Sequence, residues 1–397
     1  MRVRVGRAPW LLAAAGLVLS GCAKFDDTAA GQTFAPAPQL SAPAGPQPEL
    51  PEIDGSSGGN SAAPRPQATS VPPPQGCTDF DKAVIATCLD TVAAVAALPG
   101  DGATPSALAG ERKSGRVMVV TAGAPATVLT TLQVDASGDG GLTGLSLSPT
   151  YNEDQLAFAY ITTASDNRVV RFTKGQQPKP ILTGIPKGAT GNRGALATDG
   201  KGALLVATGD AGNPAAAADP ASLAGKILRI DTAGAAAQGN PTPGSRTFAT
   251  GVHSPGGLCK AADGSRLWLT DRSPDTDALY KVQPGAALAA PAWTWPDRPG
   301  VAGCADGGDS IMIGTSVAGT VQQVPITLDG SVGGQPKTIM DGKNGPAYGR
   351  YGGMDPISTQ YALVGTVNKD GGTPVSSDDR VVVIQLQPTP DGGSGKD

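Results

Sequence analysis

The sequence predicts an all-β domain made of six repeated sheets, preceded by a targeting segment and a proline-rich tether. Two observations support this fold class. Short apolar runs lie between glycines, of which the chain has 56, and this is typical of strands joined by many turns. A unit that consists of a short apolar strand, a polar loop and a strand of alternating apolar and polar residues also recurs six times. Such a repeat predicts a six-bladed β-propeller.

Residues 1–21 have the features of a secretory signal peptide. Their positively charged start contains Arg2, Arg4 and Arg7. The apolar segment 8–19 is too short to span a bilayer with proper flanks, and it ends in Leu-Ser-Gly-Cys, which resembles a bacterial lipobox. We therefore expect an exported protein that is lipid-anchored through Cys22 to the outer face of the cell membrane. An ordinary secretory signal with a chance cysteine is the alternative.

Residues 22–76 are predicted to form a disordered tether. They are rich in Pro, Ala, Ser and Gly and nearly free of aromatic residues, so they cannot bury enough apolar area to fold. Their prolines favour extended conformations, which suits a spacer between membrane and domain. The propeller is predicted to span 77–390, and residues 391–397 to form a disordered tail.

The charge balance argues against a nucleic-acid partner. The chain has 30 Lys and Arg against 34 Asp and Glu, a net charge of −4. Removing the three arginines of the signal peptide leaves 27 against 34, a net charge of −7. A mildly acidic protein without basic clusters is not expected to bind nucleic acid.

Four cysteines remain after Cys22, and an even number in an exported protein indicates disulfides. Four cysteines allow three connectivities. We predict Cys77–Cys88 and Cys259–Cys304, because each pair is closest in sequence. Metal binding is the alternative, but no C-x-x-C spacing or nearby histidine supports it, and no metal site is expected.

The six copies of the unit are spaced evenly enough for one four-stranded sheet each. They occupy residues 107–120, 155–172, 203–230, 266–282, 310–326 and 360–386. The equivalent residues of the six copies run from Val117 to Val382, so that consecutive copies are separated by a mean of 53 residues over five intervals. An array of β-sandwiches is the alternative architecture. Helical patterning is confined to 79–97, where Val84, Cys88, Val92 and Val95 are predicted to share one helix face.

Three segments resemble the soluble aldose sugar dehydrogenases. They are GDGGLTGLSLSPTY (138–151), TGDAGNPAAAADPASLAGKILRID (208–231) and GVHSPGGL (251–258). That family consists of six-bladed propellers of the glucose/sorbosone dehydrogenase type, which use pyrroloquinoline quinone (PQQ) and calcium. The resemblance extends from about residue 104 to 387, and within the family it is strongest to the actinobacterial cell-envelope lipoproteins of the LppZ type.

The resemblance also shows where this chain departs from the family. The family's proton-accepting histidine matches Gly191, and the chain has one histidine, His253, which replaces an arginine expected to face the cofactor. A paired-arginine motif on the last blade keeps Arg350 but has Gly352 in place of its second arginine. A general base must reach the substrate hydroxyl and titrate near the working pH, which glycine cannot do. We therefore expect no catalytic residue; the pocket candidates are Asn192, Asp210, His253 and Arg350.

Three functions follow from this reading. The first is a binding or scaffold propeller without a cofactor, whose ligand at the channel mouth is a small molecule or a protein. The second is an active aldose dehydrogenase that uses PQQ and calcium with another base. The third is a propeller hydrolase or lactonase, although neither a recognisable triad nor a converging set of carboxylates is apparent.

Overall fold

The computed structural model describes residues 71–100 and 103–387. The signal peptide, Cys22, most of the tether and the tail predicted above lie outside these residues. The first half of the described chain forms β1 (Val84–Ala86), β2 (Val92–Ala97), β3 (Ser106–Glu111), β4 (Arg116–Thr121), β5 (Ala124–Thr131), β6 (Leu142–Leu147), α1 (Tyr151–Asp154), β7 (Ala157–Thr162), β8 (Asn167–Phe172), β9 (Lys179–Ile185), β10 (Gly194–Thr198), β11 (Leu204–Thr208), α2 (Pro214–Ala218), β12 (Lys226–Ile230) and β13 (Thr247–Thr250). The second half forms β14 (Pro255–Lys260), β15 (Leu267–Arg272), β16 (Asp277–Lys281), β17 (Trp293–Trp295), β18 (Val301–Asp306), β19 (Ser310–Thr315), β20 (Val321–Pro325), β21 (Lys337–Ile339), β22 (Tyr351–Pro356), β23 (Tyr361–Thr366) and β24 (Val381–Gln385). Neither helix is long and apolar enough to cross a membrane.

The strands pair into six antiparallel four-stranded sheets, and the predicted six-bladed β-propeller is confirmed. Blades one to five are β2–β5, β6–β9, β10–β13, β14–β17 and β18–β21. Blade six consists of β22, β23 and β24 with β1 on its outer side. The six predicted units correspond to the second and third strands of the blades, where each apolar run is flanked by an alternating strand.

The last blade joins both ends of the described chain. In it, β1 pairs antiparallel with β24, and Val84 lies opposite Val382. This pairing completes the last blade and closes the ring of blades. The helix predicted over 79–97 is wrong, because this stretch supplies β1 and β2 instead. Cys88 and Thr91 between them have left-handed backbone conformations (φ 55° and 51°), which interrupt a helix.

The core is divided into six apolar clusters, one between each pair of neighbouring blades. Between blades two and three, for example, Phe158 and Tyr160 pack with Leu204 and Leu228, all fully buried. Each sheet therefore buries both of its faces, which is why its middle strands are continuously apolar rather than alternating. This packing fixes the position of every blade around the central channel.

Both predicted disulfides are present. Cys259 lies on β14 and Cys304 on β18, with their Cα atoms 5.6 Å apart, so this bridge joins the inner strands of blades four and five. Cys77 and Cys88, with Cα atoms 5.4 Å apart, tie the segment before β1 to the segment after it. Both Cα separations are typical of disulfides.

Six inner strands, β2, β6, β10, β14, β18 and β22, surround the channel. Small residues let them meet closely at its waist: a Cβ atom on Gly303 would lie 2.2 Å from the backbone nitrogen of Met354, and one on Gly353 would lie 2.6 Å from the Cα of Ala94. The space left at the waist is about 30 Å³. The channel is thus divided into two separate mouths, one at each end of the inner strands.

Candidate functional site

The mouth at the amino-terminal ends of the inner strands contains a cavity of about 310 Å³. Charged side chains from several blades reach it, and they are Arg112, Arg193, Arg272, Arg350, Asp139 and Asp370. We call this cavity the arginine mouth. Its lining has four positive and two negative side chains, so a net positive charge faces the ligand space. Because inner strands begin here and second strands end here, residues distant in sequence converge at this mouth.

Two of the arginines are held by aspartate and by backbone carbonyls. Arg112 is buried; its Nη2 donates to Asp370 Oδ2 at 2.8 Å and its Nη1 to the carbonyl of Gly140 at 2.7 Å. Arg350 donates from Nη1 to the carbonyl of Asp370 at 2.9 Å. These contacts fix both guanidinium groups beside one loop, between β23 and β24.

The other two arginines have no carboxylate partner among the described residues. Arg272 donates from Nε to the carbonyl of Val301 at 2.6 Å and from Nη2 to Ser316 Oγ at 3.1 Å. Arg193 makes one long hydrogen bond, from Nε to the carbonyl of Pro255 at 3.4 Å. Burial lowers the pKa of Arg193 and lowers that of Arg272 to about 9. Asp139 acts on both electrostatically, but no carboxylate of the described chain forms a direct ion pair with either of them. Desolvated guanidinium groups without a direct ion pair favour the approach of an anion.

The position that the resemblance assigns to the catalytic base is sterically closed. Gly191 has φ +69°, and a Cβ atom there would lie 2.7 Å from Asp210 Oδ1 and 2.9 Å from the backbone nitrogen of Ala211. Its own backbone N–H donates to Asp139 Oδ2 at 2.9 Å. The loop therefore packs where a side chain would begin, and this position contributes no acid or base to the mouth.

Asn192, the next pocket candidate, is used within the fold. Its side chain is almost fully buried, and its Oδ1 accepts from the backbone N–H of Gly188 at 2.9 Å. Its Nδ2 donates to the carbonyl of Gly188 at 2.9 Å and to Asp139 Oδ1 at 3.2 Å. Both ends of the amide are satisfied, and Asn192 does not line the arginine mouth.

Asp210 and His253 are brought together next to the mouth. His253 Nδ1 lies 2.9 Å from Asp210 Oδ2, and the imidazole is about one-third exposed while the carboxylate is buried. Asp271 accepts from the backbone N–H groups of His253 and Ser254 at 2.9 and 2.7 Å. Burial raises the pKa of Asp271 to about 6. Asp210 and His253 are not part of the cavity wall, whereas the adjacent Ser254 is.

Of the four pocket candidates, Arg350 alone lines the arginine mouth. The sequence reasoning missed Arg112, Arg193 and Arg272, which supply the rest of its positive charge. A partial signal was available for two of them, because Arg112 and Arg272 lie inside predicted units, directly after β3 and at the carboxyl end of β15. Within residues 71–100 and 103–387, no three His, Cys, Asp or Glu side chains cluster in a way that could hold a metal ion.

The fold and the site can now be set beside known proteins. The model of the Glucose / Sorbosone dehydrogenase family matches residues 89–324, more than half of the chain, and the chain belongs to this family. An Escherichia coli K12 protein, aldose sugar dehydrogenase YliI, is 27% identical over 179 residues. That alignment covers 40% of this chain and 48% of the relative, so the chain spans about half the length of this curated relative.

Solved structures of similar fold include proteins that are named as sugar dehydrogenases. The PQQ-bound aldose sugar dehydrogenase of Streptomyces coelicolor is 29% identical with a TM-score of 0.68, over 76% of this chain and 95% of that one. A putative oxidoreductase (glucose dehydrogenase) from Thermus thermophilus is 25% identical with a TM-score of 0.67, over 76% and 98% of the two chains. The apo-form soluble aldose sugar dehydrogenase of Escherichia coli, 21% identical with a TM-score of 0.63 over 76% and 98%, shares the fold.

Proposed function

We propose that this propeller is a binding member of its family, which takes a small, multiply charged anion into the arginine mouth and does not oxidise aldoses. The observation that supports this most is the pairing of two features in one place. Arg193 and Arg272 face the cavity without a carboxylate partner, and the base position beside them is a closed glycine, Gly191.

The charge and size of the cavity favour this class of ligand. Guanidinium groups bind carboxylates and phosphates through two parallel hydrogen bonds, each worth roughly 1.5–3 kcal/mol when charge-assisted. A cavity of about 310 Å³ is at the lower end of the range for small-molecule sites. The ligand is therefore expected to be compact and to carry at least two negative groups.

PQQ belongs to this class, because it carries three carboxylates, and the donors of the arginine mouth suit it. Arg193 and Arg272 are the residues we expect to hold those groups. When bound in the active relatives, PQQ supplies the hydride acceptor for sugar oxidation. In this chain we expect PQQ to act as a ligand without turnover, and the proposed function needs neither PQQ nor calcium as a cofactor.

An active PQQ- and calcium-dependent aldose dehydrogenase is the second candidate. It is favoured by Asp210 and His253, because a carboxylate that fixes one imidazole nitrogen leaves the other oriented as a general base. It ranks second since His253 does not line the arginine mouth. A hydrolase or lactonase is third, with no arrangement of the described residues to favour it.

We also propose that the domain is held at the outer face of the cell membrane by lipid on Cys22. The proposal rests on the lipobox-like sequence before Cys22 and on the proline-rich residues that follow it. An anchored binding domain would then meet its ligand outside the cell. The membrane is the partner that we propose for the lipid on Cys22.

Titration calorimetry with citrate and PQQ tests the binding proposal. We expect saturable, salt-sensitive binding of both and none of neutral glucose. Arg193→Gln should weaken binding by about tenfold or more, since it removes a charge-assisted partner. Arg171→Gln, on β8 and away from the mouth, is the matched control and should bind like the unchanged chain. Equal affinity of the Arg193 variant, or no anion binding at all, would contradict the proposal.

A further inference from the structure

The mouth at the carboxyl-terminal ends of the inner strands contains a second cavity, of about 500 Å³. We call it the far mouth. The last residue of every inner strand lies on its wall: Ala97, Leu147, Thr198, Lys260, Asp306 and Pro356. The narrow waist separates it from the arginine mouth, so a ligand of one cavity does not contact the other.

About half of the accessible wall of the far mouth is apolar, and the other half is polar. The large apolar side chains that line it are Leu145, Leu147, Leu196, Leu258, Met354 and Ile357. They come from four different blades, and they offer a concave surface on which an apolar body of a small molecule would be removed from water.

Three charged side chains line this cavity, and one of them already has its hydrogen-bond partners. Asp306 accepts from Trp268 Nε1 at 2.9 Å and from Arg266 Nη2 at 2.9 Å. Asp355 accepts one hydrogen bond, from the backbone N–H of Ala97 at 2.8 Å. Lys260, on blade four, acts electrostatically on Asp355 of blade six, yet neither belongs to an ion pair in the part of the chain that is described.

We propose that the far mouth binds a small zwitterion with an apolar body, such as an apolar amino acid. The ligand's ammonium group would pair with Asp355, its carboxylate with Lys260, and its side chain would pack on the leucines. Two opposite charges that lack an ion-pair partner, beside a group of large apolar side chains, are complementary to a ligand that carries both charges and an apolar body, because each charge then gains a partner on desolvation. This proposal is independent of the function of the arginine mouth.

The protonation of Asp355 adds a pH dependence. Burial raises the pKa of Asp355 to about 7, and Lys260 counteracts this shift. The other charged group facing the cavity is Asp306, which is engaged by Arg266. Since the ammonium group pairs with the ionised carboxylate, affinity should rise between pH 6 and pH 8 and level off above the pKa.

The test is titration calorimetry of the intact chain with L-leucine and L-phenylalanine. Two analogues of leucine serve as ligand controls: isoamylamine, which lacks the carboxylate, and 4-methylpentanoate, which lacks the ammonium group. We expect saturable binding of the amino acids, with both analogues weaker by about tenfold or more. No saturation at millimolar amino acid, or equal binding of either analogue, would overturn the proposal.

Two variants assign the charges. Asp355→Asn should weaken amino-acid binding by about tenfold and remove its pH dependence, because the amide cannot ionise. Lys260→Gln should weaken L-leucine but not isoamylamine. Arg193→Gln, in the other mouth, should leave leucine affinity unchanged, and thermal unfolding verifies that each variant folds. Unaltered leucine affinity in both Asp355→Asn and Lys260→Gln would refute the site.

Discussion

Gly191 occupies the position that the resemblance assigns to the family's histidine. The resemblance placed a histidine there, and the surrounding loop leaves no room for any side chain. Gly352, where a second family arginine was expected, is also crowded: a Cβ atom there would lie 2.3 Å from the carbonyl oxygen of Val92. A side chain at either glycine would therefore require the surrounding structure to shift.

Gly191→His is predicted to destabilise the protein and to restore no aldose oxidation. The variant would combine a left-handed backbone conformation with contacts below 3 Å to Asp210 and Gly212. Gly175→His is the matched control, because Gly175 has a similar φ of +74° but nothing within 4 Å of its Cβ position. We expect a clearly lower melting temperature for the Gly191 variant than for the control. Equal melting temperatures would contradict this prediction, because they would show that the loop around Gly191 rearranges at little cost.

The sequence identified Gly191 and Arg350 because both lie in motifs with a family counterpart. Arg193 and Arg272 escaped notice because the positions they occupy have meaning only once the blades are closed into a ring. Arg193 directly precedes β10 and Arg272 is the last residue of β15, on different blades, and sequence alone does not reveal which strand ends meet. Their lack of carboxylate partners is likewise a property of packing that no spacing predicts.

Among the elements, the inner strands of blades four and five are the ones joined covalently. The disulfide Cys259–Cys304 spans 45 residues of sequence, against 11 for Cys77–Cys88. Both were predicted correctly, since proximity in sequence coincides with adjacent inner strands in one case and with the segment around β1 in the other. The helix predicted over 79–97 failed because its apolar spacing fits two short strands equally well.

Removing Cys259–Cys304 is predicted to cost more stability than removing Cys77–Cys88. The chain-entropy model gives about 4 kcal/mol for the longer loop and about 3 kcal/mol for the shorter one. Paired substitutions to alanine in each bridge, compared by denaturant unfolding, measure the difference. Alanine avoids burying a new hydroxyl at Cys259 and Cys304, which are both buried. A larger loss from the Cys77–Cys88 pair would contradict this order and indicate that closure by β1 limits stability.

At the scale of the whole molecule, the repeat in the sequence was sufficient to predict the fold. Every predicted unit became the second and third strand of one blade, because those strands are buried on both faces and their apolar runs are long. The pairing of β1 with β24 was not predicted, since a three-residue strand whose partner lies at the other end of the described chain leaves no local pattern. The ring depends on that pairing nonetheless.

The proposed anchor predicts a change in how the whole protein partitions. Cys22→Ala should prevent acylation, so that the protein leaves the detergent phase in a phase-separation assay or accumulates with its signal peptide attached. Lys24→Ala, two residues further on, should partition like the unchanged chain. A Cys22→Ala protein that still enters the detergent phase as a mature, lipid-modified species would rule out the lipobox.

Sugar oxidation is the property that separates the proposed binding function from that of active relatives. The purified chain is mixed with PQQ, calcium, a panel of aldoses and an artificial electron acceptor, and dye reduction is compared with a protein-free control. We predict no aldose-dependent reduction above the control, even where calorimetry shows that PQQ is bound, because the base position is the closed Gly191. Aldose-dependent reduction that disappears when PQQ is omitted would contradict the proposal, and its loss in His253→Gln would identify His253 as the base.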